Sequence, residues 1–447
     1  MTVVSLYPQT VGESGGSLGA RTVAALDIGS SKICCVIAEV RRYRGQRREQ
    51  LLPARITGIG VQASRGVKGG VIVDAQAAEA AVRLAVDAAE RMAGVTLEEV
   101  MVNISGGRPG CTTLKAMMEI PRGGPVRNRH VSQLVAQAVA GFREPKREII
   151  HVTPAAFSLD GSPETHEDVI GMHADRLAAL VNVLSIERGP LRNLEMLLSR
   201  CLLKPAGILL SAQAAARAVL VEDEAELGCA VVDIGADTTS MALFVRGRLE
   251  HAATLPVGSG HITRDLALGL NIPLAEAERL KTLHGSVLPG LDEDLETLDL
   301  PMLGEEGTGT MQQVPRSLLS GIIRPRVEEI LELVRERLAE GGMQRLGVRR
   351  VVLTGGGAQL LGLREMAERV LGGTARIGSP RPFTGLPKAM ESPMFAVVAG
   401  LLRNAMEPVR QTFLPAPEGE EEPRRTGTDD SCRGGYLSRV KAWLGDF

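Results

Sequence analysis

The fold is decided by a stretch that occurs twice in the chain: VAALDIGSSKICCVIAEV at residues 23–40 and CAVVDIGADTTSMALFV at residues 229–245. In each copy, two apolar runs rich in β-branched residues flank a short polar turn that begins with Asp-Ile-Gly. Apolar runs on both sides of a tight turn predict a β-hairpin. Because the copies match around Asp27 and Asp233, the sequence predicts an α/β protein with two lobes built on a repeated core.

The polar turns contain the residue types that bind phosphate. Glycine lets the backbone turn tightly and approach a ligand closely. Successive N–H groups in such a turn form a concave site for anions, and an aspartate at the strand end can hold Mg²⁺ through water. One copy alone fits a plain hairpin equally well, whereas two facing copies would hold a polyphosphate from both sides. The predicted phosphate-binding residues are Gly29, Ser30, Ser31, Lys32, Gly235, Ala236, Asp237, Thr238 and Thr239, and the predicted metal-binding residues are Asp27 and Asp233.

Two further features would complete a nucleotide site. Gly355, Gly356 and Gly357 lie between an apolar strand and a helix, where they would let a nucleoside or phosphate lie against bare backbone near a helix N-terminus. Glu278 and Lys281 are one turn apart on a predicted helix, and such a pair can hold ribose hydroxyls. An i,i+3 surface salt bridge is the competing interpretation of that pair.

The composition argues against several other classes of protein. The 51 Lys and Arg residues against 53 Asp and Glu leave a net charge of −2, too little positive charge for a general nucleic-acid-binding protein. Only 2% of the residues are aromatic, which disfavours the stacking surfaces that bind single strands. The six cysteines form no CxxC pair and have no zinc-site spacing. The sequence also contains neither a P-loop nor a strand-to-helix GxGxxG motif.

Three segments are expected to be irregular. Residues 1–20 are small and polar, and residues 288–314 are acidic and rich in glycine and proline, so the first predicts a flexible tail and the second a surface loop. Residues 411–433 mix prolines with charged residues and contain no core-forming cluster. This composition predicts a disordered linker.

The segment after that linker, residues 434–447, predicts an amphipathic helix. Its apolar side chains form one stripe at helical spacing, and they include the only tryptophan of the chain. Trp beside basic residues is typical of a helix that lies on a membrane surface, whereas docking on its own domain is the alternative. The predicted membrane-binding residues are Tyr436, Leu437, Arg439, Val440, Lys441, Trp443, Leu444 and Phe447.

Together these motifs resemble the actin-like ATPase superfamily and, within it, the FtsA family of bacterial cell division proteins. The most specific segments are SRGVKGGVIVD (64–74), RCLLKPAGILL (200–210), LGCAVVDIG (227–235) and VLTGGGAQLLGL (352–363). The resemblance implies a two-lobe ATPase fold with a duplicated RNase H-like core and an inserted, SHS2-like α+β subdomain. The implied divisions are lobe 1 at 21–98 and 179–212, the inserted subdomain at 99–178, lobe 2 at 213–261 and 331–410, and a small subdomain of lobe 2 at 262–330.

The resemblance also implies a function. ATP and Mg²⁺ would lie between the lobes, and the chain would self-associate into filaments that tether FtsZ to the cytoplasmic side of the membrane at the division septum. The acidic C-terminal peptide of FtsZ would bind at 262–330, where Arg324 and Arg326, at the start of a helix predicted over 326–339, are candidates on charge. Later division proteins would bind at 99–178. A pilus-assembly platform and a sugar-kinase-like phosphotransferase remain as alternatives, since both share the phosphate loops.

Some residues depart from the pattern of that family. Relatives usually have Asp-Ile-Gly-Gly-Gly-Thr in the second phosphate loop, whereas this chain has Ala236 and Asp237 at two of the glycine positions. Asp237 would add a negative charge near the phosphates unless it points away or shares the metal. Ser240 stands where relatives often have a carboxylate, and Ser211, with Gln213 nearby, stands where some actin-like ATPases orient water with Glu or Gln. We therefore expect ATP binding with slow or negligible hydrolysis.

Overall fold

The computed structural model describes residues 20–41, 54–162, 166, 168–288, 296–304, 311–382 and 385–406. These residues belong to two compact units, a larger one formed by Gly16–Arg108 and Asn193–Pro408 and a smaller one that includes Pro109–Arg192. The predicted tail up to residue 19, the linker and the amphipathic helix with all its membrane-binding residues lie outside the described residues. None of the described helices is both long and apolar enough to cross a bilayer.

The elements follow one another in chain order. The strands are β1 (Ala20–Ile28), β2 (Lys32–Arg41), β3 (Ala54–Ala63), β4 (Val67–Lys68), β5 (Val71–Ile72), β6 (Glu99–Ile104), β7 (Gly110–Glu119), β8 (Arg147–Leu159), β9 (Arg176–Glu187), β10 (Lys204–Leu210), β11 (Cys229–Ile234), β12 (Thr239–Val245), β13 (Arg248–Leu255), β14 (Thr297–Pro301), β15 (Met311–Pro315), β16 (Arg350–Thr354) and β17 (Thr374–Ile377). The α-helices are α1 (Ala75–Ala93), α2 (Asn128–Ala140), α3 (Arg188–Arg200), α4 (Ser211–Val219), α5 (Glu222–Leu227), α6 (Ser259–Leu270), α7 (Leu274–His284), α8 (Arg316–Glu340), α9 (Leu363–Leu371) and α10 (Ala396–Met406).

The larger unit contains two five-stranded sheets that repeat one topology. The first has the order β3-β2-β1-β6-β10 and the second the order β13-β12-β11-β16-β17. In each sheet an antiparallel meander of three strands continues into two parallel strands. The central strands are buried from Val23 to Ile28 in β1 and along the whole of β11, which explains why these stretches are apolar runs. The predicted duplicated α/β core is confirmed.

Two helices, α4 and α10, connect the two sheets. α4 contacts β6 and β10 of the first sheet and β11 and β12 of the second, while α10 packs on α4 and on β1. Gly400 allows this close packing, since a Cβ there would lie 1.7 Å from the carbonyl oxygen of Ala214. Every residue of α10 is buried. Although the segment 331–410 was expected in lobe 2, its last helix therefore packs against a strand of lobe 1.

Helices α6 to α9 share one apolar core with the second sheet. α8 begins at Arg316, ten residues before the predicted start, and it continues through Pro325. A proline ring crowds the carbonyl group four residues earlier, and that residue is Gly321, whose backbone adjusts most easily. The expected loop at 288–314 is also partly wrong. Within it, β14 pairs with β15 because Leu300 and Val314 are buried against the core.

The smaller unit consists of the antiparallel sheet β7-β9-β8 and the helix α2, whose apolar stripe faces a core shared with that sheet. Its bounds differ from the expected 99–178. β6 pairs with β1 and β10 of the first sheet, and β9 pairs with β7 and β8. Both strands are apolar over most of their length, so the local sequence does not indicate which sheet each strand joins.

Candidate functional site

The two Asp-Ile-Gly turns fold in the same way. The Gly29 N–H donates to the Lys32 carbonyl at 3.0 Å, and the Gly235 N–H donates to the Thr238 carbonyl at 2.8 Å. A Cβ on Gly29 would lie 2.9 Å from the Lys32 oxygen, and one on Gly235 would lie 3.0 Å from the Thr238 oxygen. A larger residue at either glycine would therefore force the turn to shift. The repeated sequence produces a repeated turn at the end of a central strand in each sheet.

The aspartates of the two turns, Asp27 and Asp233, are both buried and lie within range of each other's charge. Burial raises the pKa of Asp27, although the nearby Lys32 ammonium and a hydrogen bond from Asn103 lower it in part. Burial, together with the negative charge of Asp27, raises the pKa of Asp233 to about 7. Two buried carboxylates that destabilise each other's ionised form favour a cation between them. The turns of the two lobes therefore face one acidic site.

This acidic pair fits Mg²⁺ in one respect. Mg²⁺ is commonly held by one or two carboxylates, several waters and the phosphates of a bound nucleotide. Within the described ranges, no group of three or more His, Cys, Asp or Glu side chains is arranged to hold a metal. Asp27 and Asp233 would thus supply a partial ligand set that depends on phosphate oxygens and water for completion.

Two polar residues support the first turn: Asn103, which the sequence did not single out, and Ser211, which stands where some actin-like ATPases orient water. Asn103, at the end of the parallel neighbour β6, accepts a hydrogen bond from the Ile28 N–H at 2.7 Å and donates to the Ser211 hydroxyl at 3.0 Å. Ser211 in turn donates to the Ile104 carbonyl at 3.4 Å. The sequence feature that could have identified Asn103 is a polar amide residue within an otherwise apolar strand. Because parallel strands end at the same sheet edge, it lies beside Asp27.

The glycines after β16 lie against the second aspartate. Gly355 has a φ of +85°, and a Cβ there would come within 2.4 Å of the Asp233 Oδ1. A Cβ on Gly357 would lie 2.5 Å from the Ile234 Cγ2, whereas one on Gly356 would meet nothing closer than 3.9 Å. The predicted Gly-rich turn is therefore adjacent to the acidic pair because β16 is the parallel neighbour of β11.

Lys32 has a different partner from the phosphate that its position predicts. Its Nζ donates to the Met394 carbonyl and lies 4.9 Å from the centre of the Phe395 ring. These residues form the turn that precedes α10. The Lys32 side chain thus connects the first Asp-Ile-Gly turn to the turn before α10, while its charge still acts on Asp27.

The second loop is held by the start of α6. The Ser259 N–H donates to the Gly235 carbonyl at 2.8 Å and the Gly260 N–H to the Ala236 carbonyl at 2.7 Å. The Thr239 hydroxyl donates to the Val257 carbonyl at 2.8 Å. Thr239 is fully buried, so its side chain supports the loop from the core.

Asp237, which departs from the expected glycine, is neutralised by a neighbouring cation. The Arg264 Nη2 of α6 lies 2.7 Å from the Asp237 Oδ1. The other carboxylate oxygen, Oδ2, accepts a hydrogen bond from the Gly69 N–H at 3.2 Å. The Ser30 hydroxyl of the first loop accepts one from the Gly70 N–H at 3.4 Å. The ion pair offsets the negative charge that Asp237 adds to the second turn.

Glu278 and Lys281 do form the expected i,i+3 ion pair, but the pair is also tied to α6. The Lys281 Nζ lies 2.7 Å from the Glu278 Oε2 and donates to the Thr263 hydroxyl at 2.9 Å and to the Ser259 carbonyl at 3.3 Å. Burial raises the pKa of Glu278, but hydrogen bonds from Lys281 and Thr263 outweigh it and leave the pKa below its usual value. Since Ser259 also holds Gly235, the pair is linked to the second loop.

The two candidate partner-binding arginines lie in the middle of α8. Arg326 pairs with Asp265 of α6 at 2.6 Å and also with Glu329. Arg324 is exposed, and in the part of the chain that the structure describes it pairs with no carboxylate. Arg324 is therefore the more accessible charge of the two.

Comparison with known proteins identifies the family. The family model described as "Cell division protein FtsA" matches residues 230–400, and the one described as "SHS2 domain inserted in FTSA" matches residues 106–185. A cell division protein FtsA of Rhizobium meliloti (strain 1021) is 42% identical over 385 residues, which cover 85% of this chain and 86% of the relative. The FtsA of Neisseria meningitidis serogroup B is 31% identical over 425 residues, 95% of this chain and 98% of the relative.

Solved structures show the same architecture at low sequence identity. A PilM-PilN type IV pilus biogenesis complex aligns with a TM-score of 0.58 at 16% identity and covers 86% of this chain and 99% of that chain. The MreB5 of Spiroplasma citri, solved bound to ADP, aligns with a TM-score of 0.50 at 13% identity over 86% of this chain and 96% of that chain. These likenesses support the actin-like ATPase fold. On the sequence matches, which extend over most of its length, the chain belongs to the FtsA family of cell division proteins.

Proposed function

We propose that this chain binds ATP with Mg²⁺ between its two lobes, self-associates, and tethers FtsZ filaments to the cytoplasmic side of the cell membrane at the division septum. The single observation that supports the nucleotide site best is the electrostatic one. Asp27 and Asp233, each in an Asp-Ile-Gly turn of a different lobe, are buried close enough for one charge to raise the other's pKa. The MreB5 of Spiroplasma citri, which shares the fold and was solved with ADP bound, adds support.

Each part of the site would have a separate task. Asp27 and Asp233 would hold Mg²⁺ on phosphate oxygens, and the backbone N–H groups of residues 29–32 and 235–239 would bind the phosphates. Glu278 and Lys281 would hold the ribose, and the glycines 355–357 would lie along the nucleoside. Lys32 would steady the first loop through its contact with Met394. Bound Mg²⁺ would neutralise phosphate charge.

The hydrogen bonds of Ser211 favour slow hydrolysis of ATP. The Ser211 hydroxyl is already committed to Asn103 and to the Ile104 carbonyl. A hydroxyl held in this way is a poor base for water activation. We therefore propose an ATP-dependent scaffold with little turnover.

Titration calorimetry with Mg²⁺ and ATP tests the nucleotide site. We expect Asp27→Asn and Asp233→Asn each to weaken the affinity at least about tenfold, because a carboxylate that faces a divalent cation is lost. Glu340→Gln, which removes a paired carboxylate at the exposed end of α8, is the matched control and should bind like the natural chain. Equal affinity of all four proteins would contradict the proposed site.

The membrane and FtsZ parts of the proposal rest on the family and on the sequence of the C-terminal segment. Full-length chain should sediment with vesicles that contain anionic phosphatidylglycerol, whereas a chain that ends at residue 433 should remain in the supernatant and keep its ATP affinity. FtsZ should sediment with the vesicles only when the full chain is present, with more of it in ATP. A truncated chain that still sediments would exclude the proposed anchor.

The alternatives from the sequence receive less support. The pilus-assembly interpretation has only a fold likeness at 16% identity, against relatives named FtsA at 42% and 31%. A sugar kinase would transfer phosphate to a polyol. Phosphoryl transfer to glycerol by the full chain would favour that function over a scaffold.

A further inference from the structure

The short hairpin of β4 and β5 contacts both candidate phosphate loops. Its two turn residues, Gly69 and Gly70, have φ values of +58° and +73°, as in the tight two-residue turns that glycine favours. The hairpin ladder uses neither of their N–H groups, since Lys68 pairs with Val71 across the turn. We call residues 67–72 the strap.

The strap is anchored to the first lobe. Gly66 accepts hydrogen bonds at its carbonyl from the N–H groups of Val73 and Asp74, at 2.9 and 3.1 Å, and Asp74 caps α1. A Cβ on Gly70 would lie 2.6 Å from the Gly106 nitrogen. The strap therefore packs tightly on the loop that follows β6.

The two N–H groups that the hairpin ladder leaves unused bond to different lobes. The Gly70 N–H donates to the Ser30 hydroxyl of the first loop, and the Gly69 N–H donates to the Asp237 Oδ2 of the second. The Asp237 side chain is only 13% exposed, and its other oxygen is paired with Arg264. One carboxylate thus joins the strap of the first lobe to α6 of the second.

The second-lobe side of this contact is well positioned. The neighbouring Ala236 carbonyl is fixed by the Gly260 N–H at 2.7 Å. Arg264 is one helical turn further along α6 and directs the Asp237 carboxylate by pairing with Oδ1. Glycine, the residue usual at position 237 in the family pattern, has no side chain to make either contact.

We propose that Asp237 is a positioning residue that latches the strap across the opening between the two phosphate loops, and that Arg264 aligns it. This inference rests on the proposed function in one respect: a nucleotide held between those loops would leave only after the latch opens. The latch itself is a property of the nucleotide-free chain. Its loss should loosen the strap and speed nucleotide release.

Hydrogen exchange of the nucleotide-free, full-length chain tests the latch directly. Asp237→Ala removes both contacts, so we expect the amides of residues 64–74 to exchange about tenfold faster, as for the loss of one hydrogen bond to a charged group. Glu340→Ala, which removes a paired carboxylate elsewhere in the same lobe, should leave that exchange unchanged. Unchanged protection of residues 64–74 in Asp237→Ala would overturn the proposal.

Stopped-flow release of a fluorescent ATP analogue, chased with excess ATP, tests the consequence for the nucleotide. Asp237→Ala should release the analogue about tenfold faster, and Arg264→Gln about two- to threefold faster, because the half-exposed guanidinium contributes less than the carboxylate. Equal release rates in all variants would overturn the latch. If the natural chain binds no ATP at all, the proposed function fails, and the exchange measurement alone decides on the latch.

The proposal can still be tested if Asp237→Ala does not fold. Asp237→Asn keeps one acceptor oxygen and the side-chain volume, so it should fold and show an intermediate increase in exchange. If Asp237→Ala is unfolded by circular dichroism, Asp237→Asn and Arg264→Gln take its place. A folded Asp237→Asn with natural exchange at residues 64–74, together with a natural release rate in Arg264→Gln, would then exclude the latch.

Discussion

Gly355 lies directly against Asp233: a Cβ at position 355 would come within 2.4 Å of the carboxylate Oδ1, and the backbone there has a φ of +85°. Both facts require glycine. We predict that Gly355→Ala lowers the free energy of unfolding by about 3 kcal/mol, since a side chain at this φ with a ψ of 172° costs about 1–3 kcal/mol and the overlap adds to that cost. Urea denaturation followed by circular dichroism measures this loss.

The same turn provides the control for that prediction. Gly356 has ordinary backbone geometry, and a Cβ there would meet nothing closer than 3.9 Å. Gly356→Ala should therefore stay within about 1 kcal/mol of the natural chain. A loss of equal size in both variants would show that the contact with Asp233 is not the cause.

Neutralising Asp233 should have opposite effects on stability and on binding. Without ligand, Asp233 and Asp27 destabilise each other's charge in a buried site, so we expect Asp233→Asn to raise the thermal midpoint of the nucleotide-free chain at pH 8. With Mg²⁺ and ATP, the natural chain should be stabilised more than the variant. Differential scanning calorimetry with and without ligand measures both shifts. A lower midpoint of the ligand-free variant would contradict the proposed repulsion.

The ion pair between Glu224 of α5 and Arg376 of β17 should appear in the pH dependence of stability. Hydrogen bonds from Arg376 hold the pKa of Glu224 below its ordinary value. A carboxyl whose pKa is lowered in the folded state stabilises it above the unfolded value of 4.5 and loses that contribution as the pH falls through the folded value. We expect Glu224→Gln to cost about 1 kcal/mol at pH 7, because the pair is partly exposed.

Urea denaturation midpoints of the natural chain and of Glu224→Gln, measured between pH 7 and pH 3, test this pH dependence. The difference between them should persist down to about pH 5 and shrink at lower pH. A difference that stays constant over the whole range would mean that the Glu224 charge has no part in it.

The two arginines of α8 should behave differently. Arg326 pairs with Asp265 and Glu329, so Arg326→Ala should cost about 1 kcal/mol of stability. Arg324→Ala should leave stability unchanged. If an acidic FtsZ peptide binds this helix as proposed, Arg324→Ala should lower the affinity for the peptide by a few fold. Fluorescence anisotropy measures this affinity, and the difference should decrease at high salt. No change in affinity for either variant would exclude this helix surface.

The two Asp-Ile-Gly turns were predictable because each is a local feature. The turn at Gly29 and the turn at Gly235 depend on bonds within four residues, and the repeated motif marks both. The hairpin of β14 and β15 was missed because its short alternation lies inside an acidic stretch. The strands β6 and β9 were assigned to the wrong units because two apolar strands are alike until their pairing partners are known.

Residues whose roles depend on distant neighbours were missed for the same reason. Asn103 supports the Asp27 turn across 75 residues of sequence, and Arg264 of α6 neutralises Asp237 in the turn between β11 and β12. Lys32 was expected on phosphate, yet its ammonium is bonded to Met394, 362 residues away. No spacing rule links such pairs, since side-chain partners across a fold follow from packing.

The amino-acid sequence alone determined the duplicated hairpins, the two acidic turns and the family. These features depend on local backbone preferences and on apolar periodicity, which involve residues that are close together in the sequence. Tertiary structure alone decided that Asp27 and Asp233 share one buried site, that Gly355 lies on Asp233, and that Asp237 reaches the strap. Those relationships arise when two sheets pack through α4 and α10, and the energy of a buried charge depends on every neighbour that this packing brings near it.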